Sequence, residues 1–112
     1  MMSMQKKLKT LARILKENTS AERIYHYYHP ADEEVPFIVW QEDGEQESFH
    51  ANNEKEEQCV HGTIDCYTLE EFDTLLDEVQ DALRNAGIGW SLLSVQYEDA
   101  TNLIHYEWEF YL

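Results

Sequence analysis

Between residues 69 and 86, Leu69, Phe72, Leu75, Leu76, Val79, Ala82, Leu83 and Ala86 fall at helical spacing, and the positions between them are polar. A stripe of that width needs a cover, so the chain must build a second layer for this helix to lie on. Thr68 and Glu71 form a capping-box pair before it, and Gly87 stands where a left-handed stop is expected. The spacing therefore predicts a helix over 69–86, the most sharply marked element of the chain.

The layer beneath it is legible at the C-terminal end. Ile104, Tyr106, Trp108, Phe110 and Leu112 alternate with Leu103, His105, Glu107, Glu109 and Tyr111. This is the pattern of a sheet with one face on a helix and one face wet. "WSLLSVQYE" (90–98) and the turn "DATN" complete a hairpin with it. "VPFIVWQE" (35–42) is a β-branched and aromatic run and reads as a strand, with Pro36 near its start. Phe37 and Val39 point one way and Ile38 and Trp40 the other. Both faces need cover, by a partner surface or within the fold. Residues 4–17 read as a helix with Met4, Leu8, Leu11, Ala12 and Leu15 on one face. "SAERIYHYYHPADEE" reads as irregular. The order helix, strand, strand, helix, strand, strand predicts a single α+β domain over 1–112, an antiparallel sheet with the long amphipathic helix packed on one face.

The segment "CVHGTIDCY" (59–67) carries both cysteines with a histidine between them. Val60, Ile64 and Cys66 alternate with His61, Thr63 and Asp65, so it reads as a strand. Seven positions along a strand put Cys59 and Cys66 on opposite faces and about 23 Å apart. They can neither form a disulfide with each other nor share a zinc ion. Cys66 reads instead as a small core residue. His26 and His29 in "YHYYHP" leave a two-histidine site open beside ordinary aromatic packing. "EDGEQES" lacks the alternating oxygens of a calcium loop. The glycines at 44, 62, 87 and 89 make no phosphate cradle, and no nucleophile elbow or His-Glu-x-x-His is present. The expectation is a chain that is not an enzyme and takes no metal or cofactor.

Charge narrows the function classes further. Twenty-three acids against eight bases give a formal net charge of −15. Lys6, Lys7, Lys9, Arg13 and Lys16 supply five of the bases, with no acid in the first sixteen residues, while the remaining 96 residues carry −20. Such a body repels nucleic acid, whose binding needs clustered Lys and Arg. The cationic segment suits an acidic protein surface, including a second copy of this chain. Glu70, Asp73, Asp77 and Asp81 form a like-charged row at helical spacing, which does not serve helix stability. It is either a solvated face or an acidic surface kept for function. The connection 42–58 holds seven acids and almost no apolar residue, and reads as a long mobile loop. No apolar run approaches the roughly 18 residues of a membrane span, and the N-terminus lacks the apolar core of a signal peptide. The expected compartment is the cytoplasm.

Taken together, "VPFIVW", "HANNE", "GTIDCYT", "LRNAGI" and "VQYEDATNLIHYEWEF", preceded by a basic helix, resemble the small prophage proteins of the tail terminator class, also called tail completion or head–tail joining proteins. The likeness runs over residues 4–112, with Ala51-Asn52-Asn53 where the family tends to show Ala-Asp-Asn. It implies a ring, commonly hexameric, that caps the tail tube, joins it to the head connector and lets DNA pass. It also implies the host cytoplasm during assembly, then the virion tail or neck. On that reading Lys6, Lys7, Lys9, Arg13, Lys16, Phe37 and Trp40 are candidate subunit-interface residues. Glu70, Asp73, Asp77 and Asp81 are candidates for an acidic lumen or partner face. The rival expectation is an acidic DNA mimic that occupies a nucleic-acid-binding protein. A plain α+β adaptor is a further one.

Overall fold

The computed structural model of the protein describes residues 3–45 and 58–112. Helix α1 (Met4–Asn18) opens on Ser3, whose hydroxyl accepts a hydrogen bond from the Lys6 amide at 3.2 Å. There follow β1 (Ile24–His26), β2 (Phe37–Glu45), β3 (Val60–Thr68), α2 (Leu75–Asn85), β4 (Gly89–Glu98) and β5 (Leu103–Tyr111). The fold is α+β: two helices cover one face of a five-stranded sheet ordered β1-β2-β3-β5-β4.

The sheet is mixed, which corrects the expected antiparallel sheet and the expected element order. Ile24–His26 runs parallel to β2, pairing Ile24 with Ile38 and His26 with Trp40. All other pairs are antiparallel. Three residues are too few to show a period in sequence, and their pairing partner lies fourteen positions away. The expected loop at 42–58 is corrected at its start, because β2 continues through Glu45 past a bulge between Glu42 and Gly44. Residues 46–57 of that expected loop lie outside the described residues.

The core sits between helices and sheet. β3 is the central strand and its burial alternates along its whole length, with Val60, Gly62, Ile64, Cys66 and Thr68 inward. Trp108 and Phe110 of β5, Ile38 and Trp40 of β2, Leu11 and Leu15 of α1, and Leu75, Val79 and Leu83 of α2 close around it. Trp108 keeps its polar end satisfied by donating Nε1–H to Gln80 Oε1 at 3.0 Å. Cys66 is buried among these groups, and burial pushes its thiol pKa up to about 12.

Helix α2 is shorter than its sequence stripe, which corrects the helix expected over 69–86. Asp73 accepts the Leu75 amide at 2.9 Å and the Thr68 hydroxyl at 2.7 Å, while Thr68 Oγ1 accepts the Glu70 amide at 3.1 Å. These bonds make a compact turn of 69–74, so Asp73, not Thr68, satisfies the first helical amide. At the other end Gly87 stands at φ +72°. Ile88 N–H reaches Leu83 O at 3.0 Å and Gly87 N–H reaches Arg84 O at 3.1 Å, the paired bonds of a Schellman stop.

Gly62 is the tightest point of the sheet. A Cβ there would lie 2.2 Å from Gln41 O and 2.4 Å from Phe110 Cζ. Gly62→Ala is expected to destabilise the fold by at least about 2 kcal/mol, read as a lowered urea midpoint, because neither backbone nor ring can retreat from a packed centre.

Candidate assembly surfaces

Ser3 caps α1, and the stripe Leu8, Leu11, Ala12, Leu15 holds it against the core. That orientation leaves Lys6, Lys9, Arg13 and Lys16 exposed. Among the described residues, none of these four side chains makes an ion pair. Lys7 differs from them. It is half-buried, and its Nζ donates to the main-chain oxygen of Gln58 at 2.6 Å and to that of Leu112 at 3.5 Å. It ties the helix to the ends of β3 and β5. Lys9 and Lys16 line the groove between α1 and the β1–β2 edge, with His26 and Trp40 as its floor.

Phe37 and Trp40 do not stand on an outer surface, which corrects their assignment to a subunit joint. They are 4% and 2% exposed. Both faces of β2 are covered within the fold. Trp40 faces the helices, stacked on His26 at 3.9 Å. Phe37 faces the other side, under Tyr67 (4.8 Å), His29 (4.7 Å) and Tyr25 (6.4 Å).

The four-carboxylate row is also not one helical face. Glu70 is exposed in the turn before α2, Asp73 is the cap just described, and only Asp77 and Asp81 are exposed on α2 itself. Asp81 accepts from Arg84 at 2.7 Å, and the Arg84 guanidinium lies 5.7 Å from the Trp90 ring of β4. This corner of α2 therefore borders the outer strand of the sheet.

Histidines hydrogen-bond carboxylates at three points. His26 meets Glu42 at 2.7 Å, His61 meets Asp43 at 2.7 Å and His105 meets Asp65 at 2.6 Å. Burial would raise the Glu42 pKa, but hydrogen bonds from Tyr27 and His26 outweigh it and hold it below 4.5. Burial raises that of Asp65 above 3.8, only partly offset by His105. Among the described residues, no three His, Cys, Asp or Glu side chains gather as a metal ligand set. No helix among them is long and apolar enough to cross a membrane.

An apolar surface that the sequence reading overlooked lies on β4. Leu92, Leu93, Val95 and Tyr97 are 45–58% exposed, on a sheet edge. Residues 85–97 are the longest stretch of the chain without an Asp, Glu, Lys or Arg. That stretch was the available signal. Nearby in sequence to the acidic turn, Phe72 is 91% exposed and held at φ +63°.

A left-handed aromatic residue costs roughly 1–2 kcal/mol of backbone energy, and Phe72 recovers little by burial. Phe72→Asn is expected to raise monomer stability by about 0.5–1 kcal/mol in chemical denaturation, since Asn tolerates that conformation. Glu42 gives a pH test. Its stabilisation is present above its unfolded pKa and is lost as pH falls through its lowered folded pKa. Acid melts of the protein and of Glu42→Gln should therefore differ most near neutrality and converge well below pH 4.5.

No protein-family model matches this chain and no curated protein matches it significantly, so these surfaces are interpreted from their own chemistry.

Proposed function

We propose that the chain is a non-catalytic structural subunit that self-associates into a ring, and that the ring terminates the tail tube of a long-tailed phage or prophage and joins it to the head connector. The observation that carries the reading is the outer face of α1. Lys6, Lys9, Arg13 and Lys16 stand exposed and without a described acidic partner on a chain whose net charge is −15. A ring needs a heterologous joint, one surface meeting a different surface on the next copy. Four unpaired cations on one element and carboxylates on the rest of the body supply two such surfaces. An acidic ring also suits a conduit for DNA, because carboxylates repel phosphate and keep it from adhering. Asp77, Asp81 and Glu70 are the exposed candidates for that role. A DNA mimic has no use for an exposed cationic helix face, which favours the ring.

Replacing Lys6, Lys9, Arg13 and Lys16 by Gln removes four exposed charge contacts, each worth roughly 0.2–1 kcal/mol. The expected result is association weakened about tenfold or more in sedimentation, with the fold intact. Raising salt from 0.1 M to 1 M shortens the screening length from about 10 Å to about 3 Å and should weaken the unmodified protein in the same direction. Mixing with a phage tail-tube protein, followed by electron microscopy, tests the tail role directly. Capped tube ends are expected; bare ends would remove that role.

A further inference from the structure

We propose that the two edges of the sheet are the two halves of one joint: β4 of one copy pairs, antiparallel, with β1 of the next, so that the sheet runs continuously from subunit to subunit. The inference rests on self-association from the preceding reading, but not on a tail role.

The order β1-β2-β3-β5-β4 leaves β1 and β4 as the two edges. β4 has ten residues, and a single bulge between Leu92 and Ser94 is its only irregularity. Edges exposed to water are ordinarily blocked by lysine, proline, inward charge, a β-bulge or extreme shortness. From Gly89 to Tyr97 β4 carries no lysine, proline or charge, and its one blocking device is the bulge between Leu92 and Ser94, which leaves 95–97 regular. The opposite edge is neutral too. Residues 24–31, "IYHYYHPA", form the second-longest stretch of the chain without an Asp, Glu, Lys or Arg, after 85–97. In a chain where 28% of residues are charged, the two longest uncharged stretches thus coincide with the two sheet edges. Neither edge strand itself carries a carboxylate from 24 to 31 or from 85 to 97, and Glu33 and Glu42 beside β1 are held by hydrogen bonds from Tyr25, His26 and Tyr27.

Strand direction agrees with the pairing. β1 runs with β2, and each step from β2 to β3, β5 and β4 reverses direction, so β4 runs opposite to β1. Setting β4 beside β1 of another copy, with both helix layers on the same side, gives an antiparallel ladder. In a parallel ladder with β2, Tyr27 N–H reaches Trp40 O and Ile38 N–H reaches Arg23 O, which turns the main-chain groups of Ile24 and His26 outward. Side chains on both edges add apolar area: Leu93, Val95 and Tyr97 on β4, Tyr27 and Tyr28 beyond β1.

The helix layer supplies charge complementarity across the same joint. Lys9 and Lys16 border the groove above β1. Asp81 and Asp77 stand on α2, whose Arg84 overlies Trp90 of β4. Edge-to-edge pairing brings Lys9 and Lys16 of one copy towards the helix of the next that carries Asp77 and the Asp81–Arg84 pair. Since β1 offers only three residues, each ladder is short, and closing a ring is what makes such joints cumulative.

Amide hydrogen exchange on the full chain, below and above its association concentration, tests the joint. Ile24 and His26 of β1 and the outward-facing β4 amides that lie opposite them, within 91–97, are expected to gain at least tenfold protection together. Protection of β4 alone would mean a symmetric β4–β4 dimer and overturns the proposal; so does an assembly in which neither edge changes. A chain that stays monomeric at millimolar concentration and with tube protein present overturns it as well. Leu93→Lys and Tyr97→Lys, both at exposed side chains, are expected to weaken association at least tenfold while β3 and β5 amides stay protected. Unchanged association in both variants counts against the joint. Edges protected together in an assembly that leaves tubes uncapped keeps the joint and removes the tail role. A ring that caps tubes with both edges exchanging as in the monomer does the reverse.

Discussion

Two helices have to cover a sheet larger than themselves, and the surfaces left over follow from that mismatch. At 1.5 Å per residue, the eleven residues of α2 span about 16 Å. At about 3.3 Å per residue, the ten residues of β4 span about 33 Å. Helix α2 therefore shields Trp90 and the neighbouring half of the β4–β5 hairpin, and leaves Val95 and Tyr97 beyond its reach. The fifteen residues of α1 are committed to the other half, over β1 and β2. Among the described residues, Val95 and Tyr97 on the outer half of β4 stay more than half exposed. Truncating α2 at Leu75 by the Asp73 cap makes that shortfall larger than a helix begun at residue 69 would have done.

The same geometry decides what was readable in the sequence. Period-two burial in β3, the buried Trp108 and Phe110 of β5 and the apolar face of α1 were visible because each is set by a single buried side. The β1 strand was not, since three residues carry no period and its ladder is made with residues fourteen positions away. The first turn of α2 was misread for a different reason. Leu69 and Phe72 fit the helical stripe, but the Thr68–Asp73 bond closes a tight turn, and local side-chain-to-backbone bonds of this kind compete directly with helix. Phe37 and Trp40 raised the right question, how a strand apolar on both faces is covered. The answer lay in Tyr25, His29 and Tyr67, aromatic residues whose convergence needs the tertiary fold.

The candidate surfaces were legible to unequal degrees. Charge segregation between α1 and the body could be counted, and four of its five bases stand exposed in the fold. Lys7 could not be separated from its neighbours by counting, because its role depends on where β3 starts and β5 ends. The uncharged edge strand was present in the sequence as a thirteen-residue gap in an otherwise dense pattern of charge. It passed as an ordinary hairpin strand because the apolar pattern alone does not say whether a strand is central or at an edge. Sheet order supplies that, and with it the neutral gap acquires a meaning.

An acidic chain of this kind must still bring strands together, and histidines hydrogen-bond three of its strand carboxylates. His26, His61 and His105 each sit within 2.7 Å of a carboxylate on a neighbouring strand. Asp65 and Glu107 directly oppose each other across β3 and β5, a like-charged pair that His105 partly relieves. Each of these three carboxylates thus has a histidine partner on the neighbouring strand. The exposed lysines and arginine of α1 take part in none of these pairs. They lie on the flank where the sheet ends in β1.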